Sequence, residues 1–115
     1  MKRTINISEH LSVTVLLMPS SSLMTIASVV DPMRAANRIA GKEVFHWKIV
    51  SPRGMAVNLT CGISLPVNGR FSDNDKGDLL VIVGGFDPVN KALPVTPIRI
   101  KRVMPHFKKV VSIEG

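Results

Sequence analysis

The chain has no tyrosine, one tryptophan and four phenylalanines among its 115 residues. An aromatic stacking platform for single-stranded nucleic acid needs more rings than that. One cysteine, Cys61, excludes an internal disulfide, and with three scattered histidines it offers no spacing suited to a metal. No metal and no cofactor are expected, and a reducing, cytoplasmic setting fits. No apolar run reaches membrane-spanning length, so no membrane partner is expected. Lys2 and Arg3 precede an apolar stretch, as in a signal peptide, but Glu9 and His10 interrupt it and no small-residue cleavage site follows. That argues against secretion. Acids are scarce too: eight against fifteen Lys and Arg, a net charge of +7. The excess raises the question of nucleic acid, and the densest run is Arg99 to Lys109, with Arg99, Lys101, Arg102, His106, Lys108 and Lys109. A solvated helix face followed by a loop has the same composition and is the preferred reading of that run.

With 45% hydrophobic and 20% charged residues, the chain is one globular domain rather than a disordered segment. Its spine is Asp78 to Gly85, DLLVIVGG. Five consecutive apolar residues, Leu79 to Val83, lie between Gly77-Asp78 and Gly84-Gly85, the pattern of a short strand buried on both faces in a parallel sheet. The run is too short for a helix of that hydrophobicity. Ligands of open α/β sheets sit beyond the carboxyl ends of the strands, where two residues without Cβ let backbone approach a ligand. A tight turn alone would look the same.

Taken in order, Leu11 to Met18 reads as a first buried strand stopped by Pro19. Ser20 to Ser22 can cap a helix whose apolar residues Leu23, Ile26, Ala27 and Val30 recur at helical spacing. Asp31-Pro32 either kinks this helix or starts a second one, which runs on to a left-handed cap at Gly41. Arg34 and Arg38 share a helix face, as a solvated basic edge or as a hold on an acidic ligand. Val44 to Ser51 alternates as a half-buried strand with His46 on its surface side. Val57 to Thr60 and Ile63 to Val67 are small β segments about Cys61-Gly62. Neither a helix start nor a His stands beside Cys61 to activate it, so it reads as structural. Asn68 to Gly77 is a connecting loop that lacks the glycine and closing glutamate of a calcium loop. Phe86 to Pro97 reads as a long loop over the carboxyl edge, Thr96-Pro97 starts a helix halted by Pro105, and Lys108 to Ile113 is another buried strand.

The order of strand, helix with DPMRAANRIAGKEVFHWKIVSPRG, small β segments and then DLLVIVGG resembles the amino-terminal domain of GlxA-type regulators of the AraC family. That domain belongs to the ThiJ/PfpI, class I glutamine amidotransferase-like superfamily. The resemblance covers nearly the whole chain from Leu11 onward, and Pro32 to Phe45 followed by DLLVIVGG is its most specific part. It implies a three-layer α/β/α fold with a mostly parallel, flavodoxin-like sheet, here incomplete: residues 1–115 would be a single partial domain.

Catalytic members of the superfamily carry a nucleophilic Cys on a sharp turn after a strand, with backbone N–H groups near the GG forming an anion hole. Residue by residue, Gly84 and Gly85 match the GG, and VVSIEG resembles the approach to the turn, placing Glu114 at the nucleophile position. A glutamate there cannot run thiolate chemistry. Asp31 is the only carboxylate between Pro19 and Ala40 and sits too late to serve as the acid of the first helix. The resemblance therefore implies a non-catalytic sensing and dimerisation domain of a regulator. A small-molecule effector would sit at Gly84, Gly85, Phe86 and Glu114, a homodimer is expected, and DNA would be bound only through a helix-turn-helix domain absent from this chain. The alternatives are a superfamily enzyme of amidase or hydratase type, using Cys61 or a residue beyond Gly115, or a truncated product without independent function. A truncated chain would expose apolar surface and bind a hydrophobic dye.

Overall fold

The computed structural model describes residues 10–84 and 95–113. Five parallel strands form one sheet in the order β5-β2-β1-β6-β7: β1 is Leu11–Leu17, β2 Phe45–Ser51, β5 Gly69–Arg70, β6 Gly77–Val83 and β7 Phe107–Ile113. Between β2 and β5, Val57–Asn58 (β3) and Ser64–Leu65 (β4) pair as a small antiparallel hairpin. Helix α1, Leu23–Ala40, links β1 to β2, and α2, Val95–Val103, followed by a 3-10 turn at Met104–His106, leads to β7.

Two hydrophobic clusters, one on each face of the sheet, make this a three-layer α/β/α arrangement. Val13, Val15, Leu17, Val81 and Val83 point to the face that α1 covers with Ile26 and Met33. Leu16, Leu80, Ile82 and Val50 point to the other, against Ile100 and Val103 of α2, with Phe71 and Phe107. Because successive strand residues alternate faces, a strand covered on both sides has no polar period, which is why LLVIV reads as continuous.

Helix α1 begins where its sequence signals place it. Ser22 is the N-cap, its Oγ accepting the Thr25 N–H at 3.0 Å, and Gly41 closes the helix with φ 72°. Asp31-Pro32 does not divide it: α1 is one helix with Pro32 inside. The carbonyl that a residue-32 N–H would bond is that of Ser28, which lies on the exposed side and can be solvated. Asn37 then locks α1 to β2. Its Oδ1 accepts the Val44 and Phe45 N–H groups, both at 2.8 Å, and its Nδ2 donates to the Phe45 carbonyl at 2.9 Å.

Three expectations are corrected. The 68–77 segment is not only a loop, since Gly69–Arg70 pairs with Val50–Ser51 as β5 and Gly77 already belongs to β6. Two residues carry no periodicity to read, and the strand is set in place by Asn68, whose Oδ1 accepts the Ile49 N–H at 2.8 Å. Strand β7 is not buried: it is a sheet edge with Lys108, Lys109, Val111 and Ser112 exposed, because β6 flanks it on one side only. Cys61 is exposed in the β3–β4 turn, so packing gives it no structural role. The central strand, both helices and the surface position of His46 agree with expectation. The Phe86 to Pro97 stretch lies mostly outside the described residues, and its last three residues are already helical.

Candidate functional site

In the strand order, the connection from β1 leads one way, to β2, and that from β6 leads the other, to β7. Their adjacent carboxyl ends are thus the topological switch point, the place where an open α/β sheet leaves a crevice. Gly84 stands there. Its φ of 93° lies in the region that favours glycine, and a Cβ on it would overlap Ser21 Oγ and come within 3.3 Å of Met18 Cβ.

Ser21 is the part of this edge that the sequence did not single out. Read as one of three possible caps, it is fully buried, and its hydroxyl donates to the Met18 carbonyl at 2.6 Å, with the Val83 carbonyl at 3.1 Å. The same hydroxyl thus ties the end of β1 to the end of β6. Met18 N–H adds a bond to the Val83 carbonyl at 2.9 Å. The preceding Ser20 holds φ 64°, uncommon for a non-glycine residue. The hairpin joins from the side: Ser20 N–H donates to the Asn58 carbonyl and Thr60 N–H to the Ser21 carbonyl at 3.0 Å. The β1–α1 turn, the end of β6 and the hairpin therefore form one hydrogen-bonded unit.

The Gly84 N–H is already committed, donating to the Ile113 carbonyl of β7 at 2.8 Å. It is not available as an anion-hole donor, although Gly84 directly follows the end of β6. Gly85, Phe86 and Glu114 fall outside the described residues. Cys61 belongs to the hairpin turn, and Asp31 lies midway along α1, where an ion pair with Arg34 at 2.7 Å holds its carboxyl below the ordinary aspartate value. Among the described residues the immediate edge, Met18 to Ser22 with Val83 and Gly84, offers hydroxyls and backbone but no titratable side chain. No group of three or more His, Cys, Asp or Glu side chains suited to a metal comes together among them.

Half of the basic run is paired within the protein. Arg99 and Arg102 both bond Asp73, and Lys108 pairs with Asp78 at 3.0 Å. That gives three of its cations a partner within the chain and favours the reading of the run as a solvated face.

No family model matches the chain. Over 79 residues, 69% of its length, it is 37% identical to the HTH-type transcriptional regulator CdhR of Pseudomonas aeruginosa, and that stretch is 23% of CdhR. A second relative, the HTH-type transcriptional regulator GlxA of Rhizobium meliloti, is 29% identical over 77 residues. Its homologues are AraC-type regulators of the GlxA kind. The chain spans about a quarter of the length of these curated relatives. The fold agrees. A crystal structure of an AraC family transcriptional regulator from Pseudomonas putida superposes with a TM-score of 0.70 at 19% identity, covering 89% of this chain and 63% of that one. A DJ-1 superfamily protein from Agrobacterium tumefaciens superposes with a TM-score of 0.62 at 18% identity, over 89% of this chain and 52% of that one. The GlxA-type chain thus has the ThiJ/DJ-1 fold, and among the described residues no helix is long and apolar enough to cross a membrane.

Proposed function

We propose that this chain is a ligand-sensing and dimerisation module of a GlxA-type transcriptional regulator and catalyses no reaction. The observation that carries the reading is the 37% identity to CdhR, an HTH-type regulator. A small effector would sit at the carboxyl edge, against Gly84, Gly85, Phe86 and Glu114, and DNA would be reached through a helix-turn-helix domain outside this chain. Support for the place comes from the switch point and from the unit that Ser21 ties together there. A ligand pressing on Gly84 would act on the β1–α1 turn, the hairpin and β7 together, since hydrogen bonds link them in series: hairpin to turn, turn to the end of β6, and Gly84 to β7. That is how occupancy of a crevice can bias the surroundings of a sensor. Glu114 at the position matching the superfamily's nucleophile would shape the pocket, because a carboxylate there does not perform thiolate chemistry.

The test is a thermal-shift screen of the purified chain against small metabolites, followed by calorimetry on each hit. The expected result is a ligand that raises Tm and whose affinity falls about tenfold or more in Phe86→Ala and Glu114→Gln. Turnover of an amide or isocyanide substrate that disappears in Cys61→Ser would overturn the non-catalytic reading.

A further inference from the structure

We infer that His10 and His46 form a two-histidine site for a zinc ion at the amino end of the sheet, the end away from the carboxyl crevice. The three histidines are scattered along the sequence, but the sheet brings two of them together. The Leu11 N–H donates to the Val44 carbonyl at 2.8 Å, and the parallel register that follows sets Ser12 opposite His46. His10 directly precedes β1, and side chains two apart along extended backbone share a face, so it comes to the side of Ser12 and His46. The two imidazole rings stand 5.5 Å apart between centroids, tilted by 52°. Zinc bonds imidazole nitrogen at about 2.0–2.1 Å, which puts each ring centroid about 3.2 Å from the metal and two of them about 5.2 Å apart at the tetrahedral angle. A square-planar ion such as Cu2+ would need about 4.5 Å. The observed separation thus matches the tetrahedral ion. Both rings are exposed, so the remaining few tenths of an ångström need only side-chain rotation.

Glu43 prepares His46 for the metal. Its Oε1 lies 2.8 Å from His46 Nδ1. An ionised carboxylate only accepts, so Nδ1 carries the proton and the Nε2 lone pair of the neutral ring is left to bind a cation. A carboxylate behind a ligating histidine fixes the ring and raises its basicity. Lys48 stands two residues further along the same strand face and would repel a cation, but its ammonium is held by Asp75 at 2.7 Å. Among the described residues no third His, Cys, Asp or Glu side chain completes the ligand set, so water fills the remaining positions of the bound ion. The site is therefore open and exchangeable. Filled, it ties the entry of β1 to β2, and binding energy becomes folding energy.

Calorimetric titration of zinc sulfate into the whole chain, free of any affinity tag, tests the site. A Cys61→Ser background removes the exposed thiol, which could bind zinc by itself. The expected result is one zinc per chain, with no heat from magnesium, which prefers oxygen ligands. His10→Ala and His46→Ala should each weaken zinc about a hundredfold, and Glu43→Ala about tenfold. His106→Ala, which changes the third histidine, should leave the affinity as it was. All three site side chains are exposed, so the melts of these variants in EDTA should coincide with that of the parent. Zinc should raise the Tm of the parent and leave that of His10→Ala unmoved. A chain that binds no zinc, or whose binding survives both histidine changes, overturns the site. So does an equal response to magnesium and zinc.

Discussion

The carboxyl edge of the sheet and the segment that returns the chain into β6 hold their shape by opposite means. At the carboxyl edge the ties are uncharged: one buried serine hydroxyl, a glycine at positive φ and backbone bonds between neighbouring strand ends. From Ser72 to Asp78 the ties are ionic. Asp73 holds Arg99 and Arg102, Asp75 holds Lys48 at 2.7 Å, and Asp78 holds Lys108 and Ser12. The difference teaches that the carboxyl edge rests on buried, uncharged contacts and the return segment on charged ones, so the two should answer differently to mutation and to pH.

The largest break in the comparison should come at Gly84. Gly84→Ala must adopt a φ that side chains rarely take and must also displace Ser21 Oγ. It should destabilise the chain by about 2–4 kcal/mol, read as a lower midpoint in urea unfolding. Ser21→Ala should cost less, about 1–2 kcal/mol, for the lost buried bonds between β1 and β6. The two changes are coupled. Removing Oγ clears the space that a Cβ at 84 needs, so the double variant should be more stable than the sum of the single losses predicts. A cycle that adds within about 0.5 kcal/mol would show that the two residues do not share the contact.

Much of the fold was legible because its signals are local. The serine cap, the Gly41 cap, the continuous LLVIV run and the Gly84 break each follow from side-chain size or backbone preference within a few residues. What escaped depends on partners far along the chain. The 0% exposure of Ser21 comes from strand β6, more than sixty residues away, and nothing in SSS distinguishes it from the true cap, Ser22. Asn37 looks like an ordinary helix residue until the end of β2 is set beside it. The two residues of β5 have no pattern of their own. KKVVSI reads as buried because three of its residues are apolar, but burial at a sheet edge is decided by a neighbour and not by composition. Of the candidate site, the sequence offered a location: Gly84 does end β6 at the switch point, and the commitment of its N–H to Ile113 is visible only in the folded chain.

The smallest of the expected effects sharpens the contrast through pH. Asp78 accepts the Ser12 N–H at 2.8 Å and its hydroxyl at 3.2 Å, and pairs with Lys108. The Ser12 backbone bond, then Lys108, hold its carboxyl below the ordinary aspartate value of 3.8. A depressed carboxylate stabilises the folded state fully above the unfolded value, and this contribution fades as pH falls from about 4 through the lowered folded value. Asp78→Asn retains an oxygen acceptor for Ser12 and loses the charge, so it should cost about 0.5–1 kcal/mol at pH 7. Its penalty should shrink steadily below pH 4, because the wild-type carboxylate is then protonated as well. Ser21→Ala, which loses bonds to two backbone carbonyls and none to a titratable group, should carry the same penalty at pH 7 and pH 4. Urea midpoints of the two variants and wild type along a pH series decide the matter. A Ser21→Ala penalty that follows pH would mean that the two regions are coupled, and an Asp78→Asn penalty that does not would mean that the charge on Asp78 contributes nothing to stability.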